Sequence, residues 1–149
     1  MTAALSVLSS EPAVLEGLPL SIDRDEVLRF QGYQKGVARP SAEVLAILDE
    51  ALALGERLMA PRLVYRAAAV TGGAADLIEA GGETLHIPQI GRLWGPIEAV
   101  GAGICTVGDA IEARVRDLFE AREFPLAVML DSVGSAAAES LAEYANDLL

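Results

Sequence analysis

The C-terminal stretch carries the most regular pattern of apolar and polar positions in the chain. From Pro125 to the end, apolar residues recur in steps of three and four, a spacing that fits one face of a helix and no strand. These residues are Leu126, Leu130, Val133, Ala137, Leu141, Tyr144 and Leu148. Because proline is tolerated in the first helical turn, we predict a helix that begins near Pro125 and runs to about the chain end.

Two more faces of this helix are regular. Small residues around Gly134 form a face that another backbone can approach closely, and we predict that the chain forms a homo-oligomer through the 125–149 helix. A polar face has a spacing of four residues, so that its side chains stack along one edge. This acidic edge consists of Asp131, Ser135, Glu139 and Glu143. It is either a solvated surface or a contact for a partner that offers hydrogen-bond donors.

Other segments carry helical periodicity or helix-start residues. Asp23 and Asp25 precede a short apolar run that Gly32 ends. Ser41 is a good N-cap, and the pattern after it predicts a helix from residue 42 to about 59. The same reasoning predicts helical segments at 74–80, 90–94 and 109–121.

Strand patterns lie between these helices. Residues 62–70 alternate β-branched and aromatic residues with arginines, and 84–87 form a shorter apolar run. Residues 99–106 are small and apolar on both faces, which predicts a buried central strand. Prolines and a glycine interrupt residues 1–20, so we expect a flexible N-terminal arm there and a single domain over 21–149.

Composition and charge restrict the classes of function. The chain has 149 residues, of which 52% are hydrophobic and 22% charged, as in globular domains. Its net charge of −11 repels phosphate backbones, so nucleic acid is not expected as a partner. Arg62 and Arg66 are expected to pair with the chain's own carboxylates. The single cysteine excludes an internal disulfide, and no apolar run is long enough to cross a membrane, so we expect a cytoplasmic protein.

Few residues could carry chemistry. His86 is the only histidine, and no site with two or more His or Cys ligands can be assembled, so we predict no metal site. Cys105 lies in the apolar 99–106 strand, where we expect a small buried side chain. Thr106 ends this strand and Gly108 opens the next helix. Thr106 either caps that helix or lies where free N–H groups bind an anion or a partner's carboxylate.

Four short stretches are more specific than the general pattern. They read DRDEVLRFQGY at 23–33, PRLVYR at 61–66, TVG at 106–108 and LDSVGSAAAE at 130–139. With the order of elements around them, they resemble the activation, or reactivation, domain of cobalamin-dependent methionine synthase over nearly the whole chain. The resemblance implies an α+β fold in which helices pack on a curved, mostly antiparallel sheet.

In that family the domain binds S-adenosylmethionine beside a corrinoid protein and carries out the reductive remethylation of oxidised cobalamin. The family's S-adenosylmethionine site depends on an Arg, Pro-Gly-Tyr loop beyond the helix with which this chain ends. RFQGY at 29–33 is similar to this loop but lacks its proline, and the corrinoid motif D-x-H-x-x-G is absent around His86. We therefore expect the chain alone to bind neither S-adenosylmethionine nor cobalamin, and to meet either cofactor only through a partner.

Three alternative functions follow as hypotheses. In the first, the chain is an accessory or reactivation subunit in methionine synthesis that is not catalytic alone and docks a corrinoid-binding protein or a methionine synthase subunit. Its candidate contacts are Thr106, Asp131, Ser135 and Glu139. In the second, it is an S-adenosylmethionine-dependent cobalamin reactivation enzyme that a partner chain completes. In the third, it is a structural homodimer without a cofactor.

Overall fold

A computed structural model describes residues 9–34, 36–37 and 39–148 of the chain. Five strands and five helices lie within these residues, and the predicted α+β fold class is confirmed. In chain order they are β1 (Ser9–Glu16), α1 (Arg24–Phe30), α2 (Ala42–Leu58), β2 (Arg62–Ala74), β3 (Leu77–Ala80), β4 (Glu83–His86), α3 (Ile90–Leu93), β5 (Ala99–Thr106), α4 (Ala110–Glu120) and α5 (Phe124–Leu148). The strand order in the sheet is β1-β2-β3-β4, and β5 also pairs with β2. None of these helices is long and apolar enough to cross a membrane.

The chain forms two compact units. A helical unit comprises Leu15–Leu63 and Cys105–Asn146, and a sheet unit comprises Val64–Ile104 with described residues near both termini. Within the predicted N-terminal arm, residues 9–16 form β1, an edge strand on which Pro12 is tolerated. Residues 1–8 lie outside the described residues, and the boundary at residue 20 stays a prediction.

Local sequence signals explain the helices of the helical unit. The Asp23 carboxylate accepts a hydrogen bond from the Asp25 amide at 2.8 Å and caps α1. The Ser41 hydroxyl accepts one from the Val44 amide at 3.3 Å and caps α2. The predicted helices at these positions, at the start of α4 and along α5 are confirmed. Their apolar faces meet in one core, whose buried residues are Val27, Leu48, Ala51, Ile111, Val115, Leu118, Leu126, Ala127, Met129, Leu130, Val133 and Ala136.

The small-residue face of α5 packs inside the helical unit. A Cβ atom added at Gly134 would lie 3.2 Å from Cγ2 of Ile111 on α4. A second glycine contacts the neighbouring residue of α5, because a Cβ atom at Gly55 of α2 would lie only 2.4 Å from Cγ1 of Val133. Glycine therefore permits the close approach of both neighbouring helices to α5. Self-association through the 125–149 helix stays a prediction, although its small face already has a partner within the chain.

Two hairpins lie in the sheet unit. β2 pairs antiparallel with β3, with a bulge between Val70 and Gly72, and β3 pairs antiparallel with β4. Gly81 and Gly82 connect β3 to β4 with φ of 60° and 80°, the positive values that a two-residue hairpin loop of type I′ requires. The helical segment predicted at 74–80 is therefore wrong, since Leu77–Ala80 is a strand with alternating exposed and buried residues. The predicted turn of helix at 90–94 is confirmed as α3.

The strand predicted at 99–106 is confirmed as β5, but its predicted burial is wrong. Six of its eight residues are exposed, and Ile104 keeps 74% of its surface accessible. Among the described strands, β5 pairs only with β2, so one of its edges lacks a neighbour there. Cys105 is half-buried, with its Sγ atom 4.0 Å from the Leu141 carbonyl oxygen.

The two arginines of β2 have different partners. The Arg62 guanidinium pairs with the Glu16 carboxylate at 2.9 Å, as predicted. The same prediction is wrong for Arg66, whose Nη2 atom donates to the Gly81 carbonyl at 2.6 Å. The Gly81-Gly82 turn places a backbone carbonyl beside the Arg66 guanidinium. No carboxylate of a described residue lies within ion-pair distance of this guanidinium, so the carbonyl is its partner.

Candidate functional site

A surface depression lies between the start of α4 and the middle of α5. We call it the α4–α5 depression, and its volume is about 220 Å³. It is lined by Val107, Gly108, Ile111, Glu112, Asp131, Gly134, Ser135 and Ala138. Its depth follows from Gly134, which has no side chain to fill it, and its floor is the Ile111 side chain that covers this glycine.

A tight turn forms one wall of the depression. The Thr106 hydroxyl accepts a hydrogen bond from the Gly108 amide at 3.1 Å, and Gly108 has a φ of 88°. The Ala60 amide donates to the Val107 carbonyl at 2.7 Å and fixes the turn against the end of α2. Thr106 therefore orders the entry to α4 through the backbone. The Asp109 side chain makes no capping hydrogen bond to α4.

The structure brings together three of the four predicted contact residues. Asp131 is exposed and Ser135 half-buried, and both line the depression that the Thr106 turn borders. Sequence reasoning missed Glu112, which adds a second carboxylate to the same lining. The sequence places Glu112 in the first turn of α4, but it does not show that this residue lies close to α5.

Glu139 does not line the depression. Its carboxylate pairs with the Arg29 guanidinium of α1 at 3.3 Å, and Arg29 also pairs with Glu26 at 2.8 Å. The hydrogen bond and the charge of Glu26 raise the pKa of Arg29 above its ordinary value, and Glu139 adds to this. A guanidinium stays charged at every pH below its pKa. Arg29 is therefore positively charged throughout the pH range in which proteins are folded, and its ion pairs with Glu26 and Glu139 keep their cation.

The 23–33 stretch packs on α5 through Gln31. The Gln31 side-chain amide donates to the Ser132 hydroxyl at 2.6 Å and to the Val128 carbonyl at 3.2 Å. Ser132 is buried, with 6% of its surface exposed, and its hydroxyl donates in turn to the Val128 carbonyl at 3.2 Å. Two of the stretches that carry the family resemblance, 23–33 and 130–139, are thus joined by a side-chain hydrogen bond.

Gln31→Ala is expected to lower the free energy of unfolding by about 1–2 kcal/mol, because it removes two hydrogen bonds while Ser132 keeps its bond to Val128. Thermal unfolding followed by circular dichroism measures the change. Gln34→Ala, at an exposed position three residues away, is the control and should change stability by less than about 0.5 kcal/mol. Equal stability of the two variants would mean that the hydrogen bonds of Gln31 to α5 do not stabilise the fold.

A larger groove in the helical unit does not fit S-adenosylmethionine. It has a volume of about 400 Å³, which is large enough for such a ligand, and Tyr33 and Phe124 give it two aromatic rings. Its other lining residues are Gln31, Val44, Ile47, Pro125, Val128 and Met129. No charged side chain of a described residue lines it, and the Gln31 amide is already bonded, so nothing there matches the charged amino-acid end of the cofactor.

The remaining candidate residues are His86 and Cys105. His86 is exposed at the end of β4 and Cys105 lies in β5. Within the described ranges, no group of three or more His, Cys, Asp or Glu side chains could hold a metal ion. The surroundings of His86 also lack the motif that supplies an axial ligand to cobalamin.

Comparisons with known proteins bear on the fold. No protein-family model matches the sequence, and no curated protein matches it either. Among solved structures, the chain is similar to a crystal structure of the MetH reactivation domain bound to AdoHcy, with a TM-score of 0.68 and 16% sequence identity. The similarity covers 92% of this chain and 54% of that chain, so this chain spans about half the length of that structure. The fold therefore confirms the resemblance to the reactivation domain.

Proposed function

We propose that the chain is an accessory or reactivation subunit of a cobalamin-dependent methyltransferase system related to methionine synthase, and that it docks a corrinoid-binding protein. The observation that carries the proposal is the fold shared with the MetH reactivation domain over 92% of this chain. Its role is to bind and position the partner.

The proposed docking surface is the α4–α5 depression with the Thr106 turn beside it. Asp131 and Glu112 contribute two carboxylates to its lining, and Ser135 contributes a hydroxyl. Two carboxylates in one depression attract a positively charged side chain, so the partner should present Lys or Arg. Arginine is favoured, because its planar fork can donate to a carboxylate and a hydroxyl together. Glu139 is left out of this surface, since it pairs with Arg29.

Asp131→Lys is expected to weaken docking at least about tenfold, or about 1.4 kcal/mol, because it places a positive charge against the partner's positive side chain. Calorimetric titration of the purified chain with a cobalamin-loaded corrinoid domain of the methionine synthase type measures the affinity. The helical content should not change, because Asp131 is exposed on its helix.

Glu143→Lys is the matched control. Glu143 lies on the same exposed edge of α5 and its replacement makes the same change of charge, but it does not line the depression. This control should change the affinity by less than about threefold, since an exposed charge away from the contact is screened by salt. Equal losses in both variants would show a general charge effect, and a wild-type chain that binds no corrinoid domain would overturn the proposal.

A second candidate is an S-adenosylmethionine-dependent cobalamin reactivation enzyme that a partner chain completes. Two observations favour it: the similar MetH structure is bound to AdoHcy, and the similarity covers 54% of that chain. Titration of S-adenosylmethionine into the chain alone and into its mixture with the corrinoid domain separates the candidates. Tight binding by the chain alone would favour the enzyme over the accessory subunit, and binding only in the mixture would support completion by a partner. No binding in either titration would remove the second candidate.

A further inference from the structure

The sheet unit contains a small cavity that the proposed function does not use. We call it the Arg66 pocket; it has a volume of about 110 Å³ and is lined by Arg66, Glu83 and apolar side chains that include Leu85, Val100 and Ala102. One water molecule occupies about 30 Å³ of liquid, so the pocket has room for a group of about four non-hydrogen atoms. One charged donor at an apolar cavity is the usual composition of a small-ligand site.

The Arg66 guanidinium has donors to spare. Its Nη2 atom donates to the Gly81 carbonyl at 2.6 Å, while its Nε atom is buried without a hydrogen-bond partner among the described residues. The buried Nε is closed to a ligand, but the Arg66 side chain also lines the cavity, where the remaining guanidinium N–H groups can donate to a bound acceptor. No carboxylate of a described residue forms an ion pair with Arg66, although the chain has 22 acidic residues.

The hairpin turn holds this guanidinium in place. Gly81 has a φ of 60°, and a Cβ atom there would lie 2.8 Å from Nη2 of Arg66 and 3.1 Å from Cβ of Ala68. A side chain at this position would strain the turn and would displace the Arg66 guanidinium. A donor fixed by the backbone before a ligand arrives loses little freedom on binding, which favours affinity.

We propose that the Arg66 pocket binds the carboxylate end of a small organic acid. An arginine fork matches the two oxygens of a carboxylate, and Leu85 and Val100 suit the aliphatic remainder of the ligand. Glu83 lies in the same lining and disfavours a second negative charge, so a monocarboxylate should bind better than inorganic phosphate. This inference is independent of the function proposed above, because it concerns residues of the sheet unit only.

Nuclear magnetic resonance of the full chain labelled with nitrogen-15 tests the proposal through the Nε–Hε signals of its arginines. Titration with sodium acetate at constant ionic strength should shift the Arg66 signal saturably. The Arg62 signal is an internal reference, because Arg62 lies on the same strand and is paired with Glu16 on the surface. Acetamide, the neutral analogue of acetate, should not shift the Arg66 signal, and phosphate should bind at least about tenfold more weakly than acetate.

Two variants complete the test. Arg66→Gln should abolish acetate binding, whereas Arg62→Gln should leave it unchanged. If Arg66→Gln does not fold, Ala102→Val fills the pocket from an exposed strand position and should weaken acetate binding at least about tenfold with Arg66 still present. Equal shifts with acetate and acetamide, equal shifts of Arg62 and Arg66, or unchanged binding in Ala102→Val would each overturn the proposal.

Discussion

Leu130→Ala is expected to lower the free energy of unfolding by about 2–5 kcal/mol, the largest effect of any single substitution considered for this chain. Leu130 has no exposed surface and lies in the middle of α5 among the buried residues of the helical core. Its loss removes apolar contacts and leaves a cavity that rigid helices cannot close. The midpoint of thermal unfolding, followed by circular dichroism, should fall by about 4–20 °C, at about 2–4 °C for each kcal/mol in a chain of this size.

The control for this experiment lies on the same helix. Val128 is 42% exposed, so Val128→Ala removes a side chain that is largely in water and should change stability by less than about 0.5 kcal/mol. Equal unfolding midpoints for Leu130→Ala and Val128→Ala would contradict the assignment of Leu130 to the buried face of α5.

Gly55→Ala is expected to destabilise the chain by about 1–3 kcal/mol, against the usual direction of this substitution. In an exposed helix the change to alanine gains about 1 kcal/mol, because glycine is a poor helix former. At Gly55 the new Cβ atom would lie 2.4 Å from Cγ1 of Val133, far inside van der Waals contact. Val133 has no exposed surface and is β-branched, so its side chain cannot rotate away easily.

A double-mutant cycle isolates this contact. Val133→Ala removes the methyl group that Gly55→Ala would strike, so the double variant should be more stable than the sum of the single effects predicts, by about 1 kcal/mol or more. Chemical denaturation of the four proteins gives the coupling energy. An increase in stability for Gly55→Ala alone would mean that α2 and α5 can move apart without losing packing energy, and it would contradict this prediction.

The helices were predictable because their signals are local. Asp23 and Ser41 cap helices whose apolar faces follow in the next residues, and α5 repeats one period over its whole length. The strand at 77–80 was missed because four residues are too few to show a period, and the informative signal was the Gly81-Gly82 pair that follows. That pair fits a hairpin loop, which excludes a helix before it.

Burial and contacts between distant segments could not be predicted from the sequence. β5 has the composition of a buried strand, but burial depends on which elements cover it, and a single sequence does not state that. The ion pair between Arg29 and Glu139 joins residues 110 positions apart. Of the candidate site, sequence periodicity placed Asp131 and Ser135 on one edge, whereas the approach of Glu112 depends on how α4 packs against α5.

The helical unit is assembled from two separate stretches of chain, Leu15–Leu63 and Cys105–Asn146, with the sheet unit between them in sequence. During synthesis, α1 and α2 therefore leave the ribosome well before α4 and α5, which supply nine of the twelve buried residues of the helical core. At about 5–20 residues per second, this delay is roughly 4–17 s. Until α5 emerges, the apolar faces of α1 and α2 therefore lack the helices that complete their core.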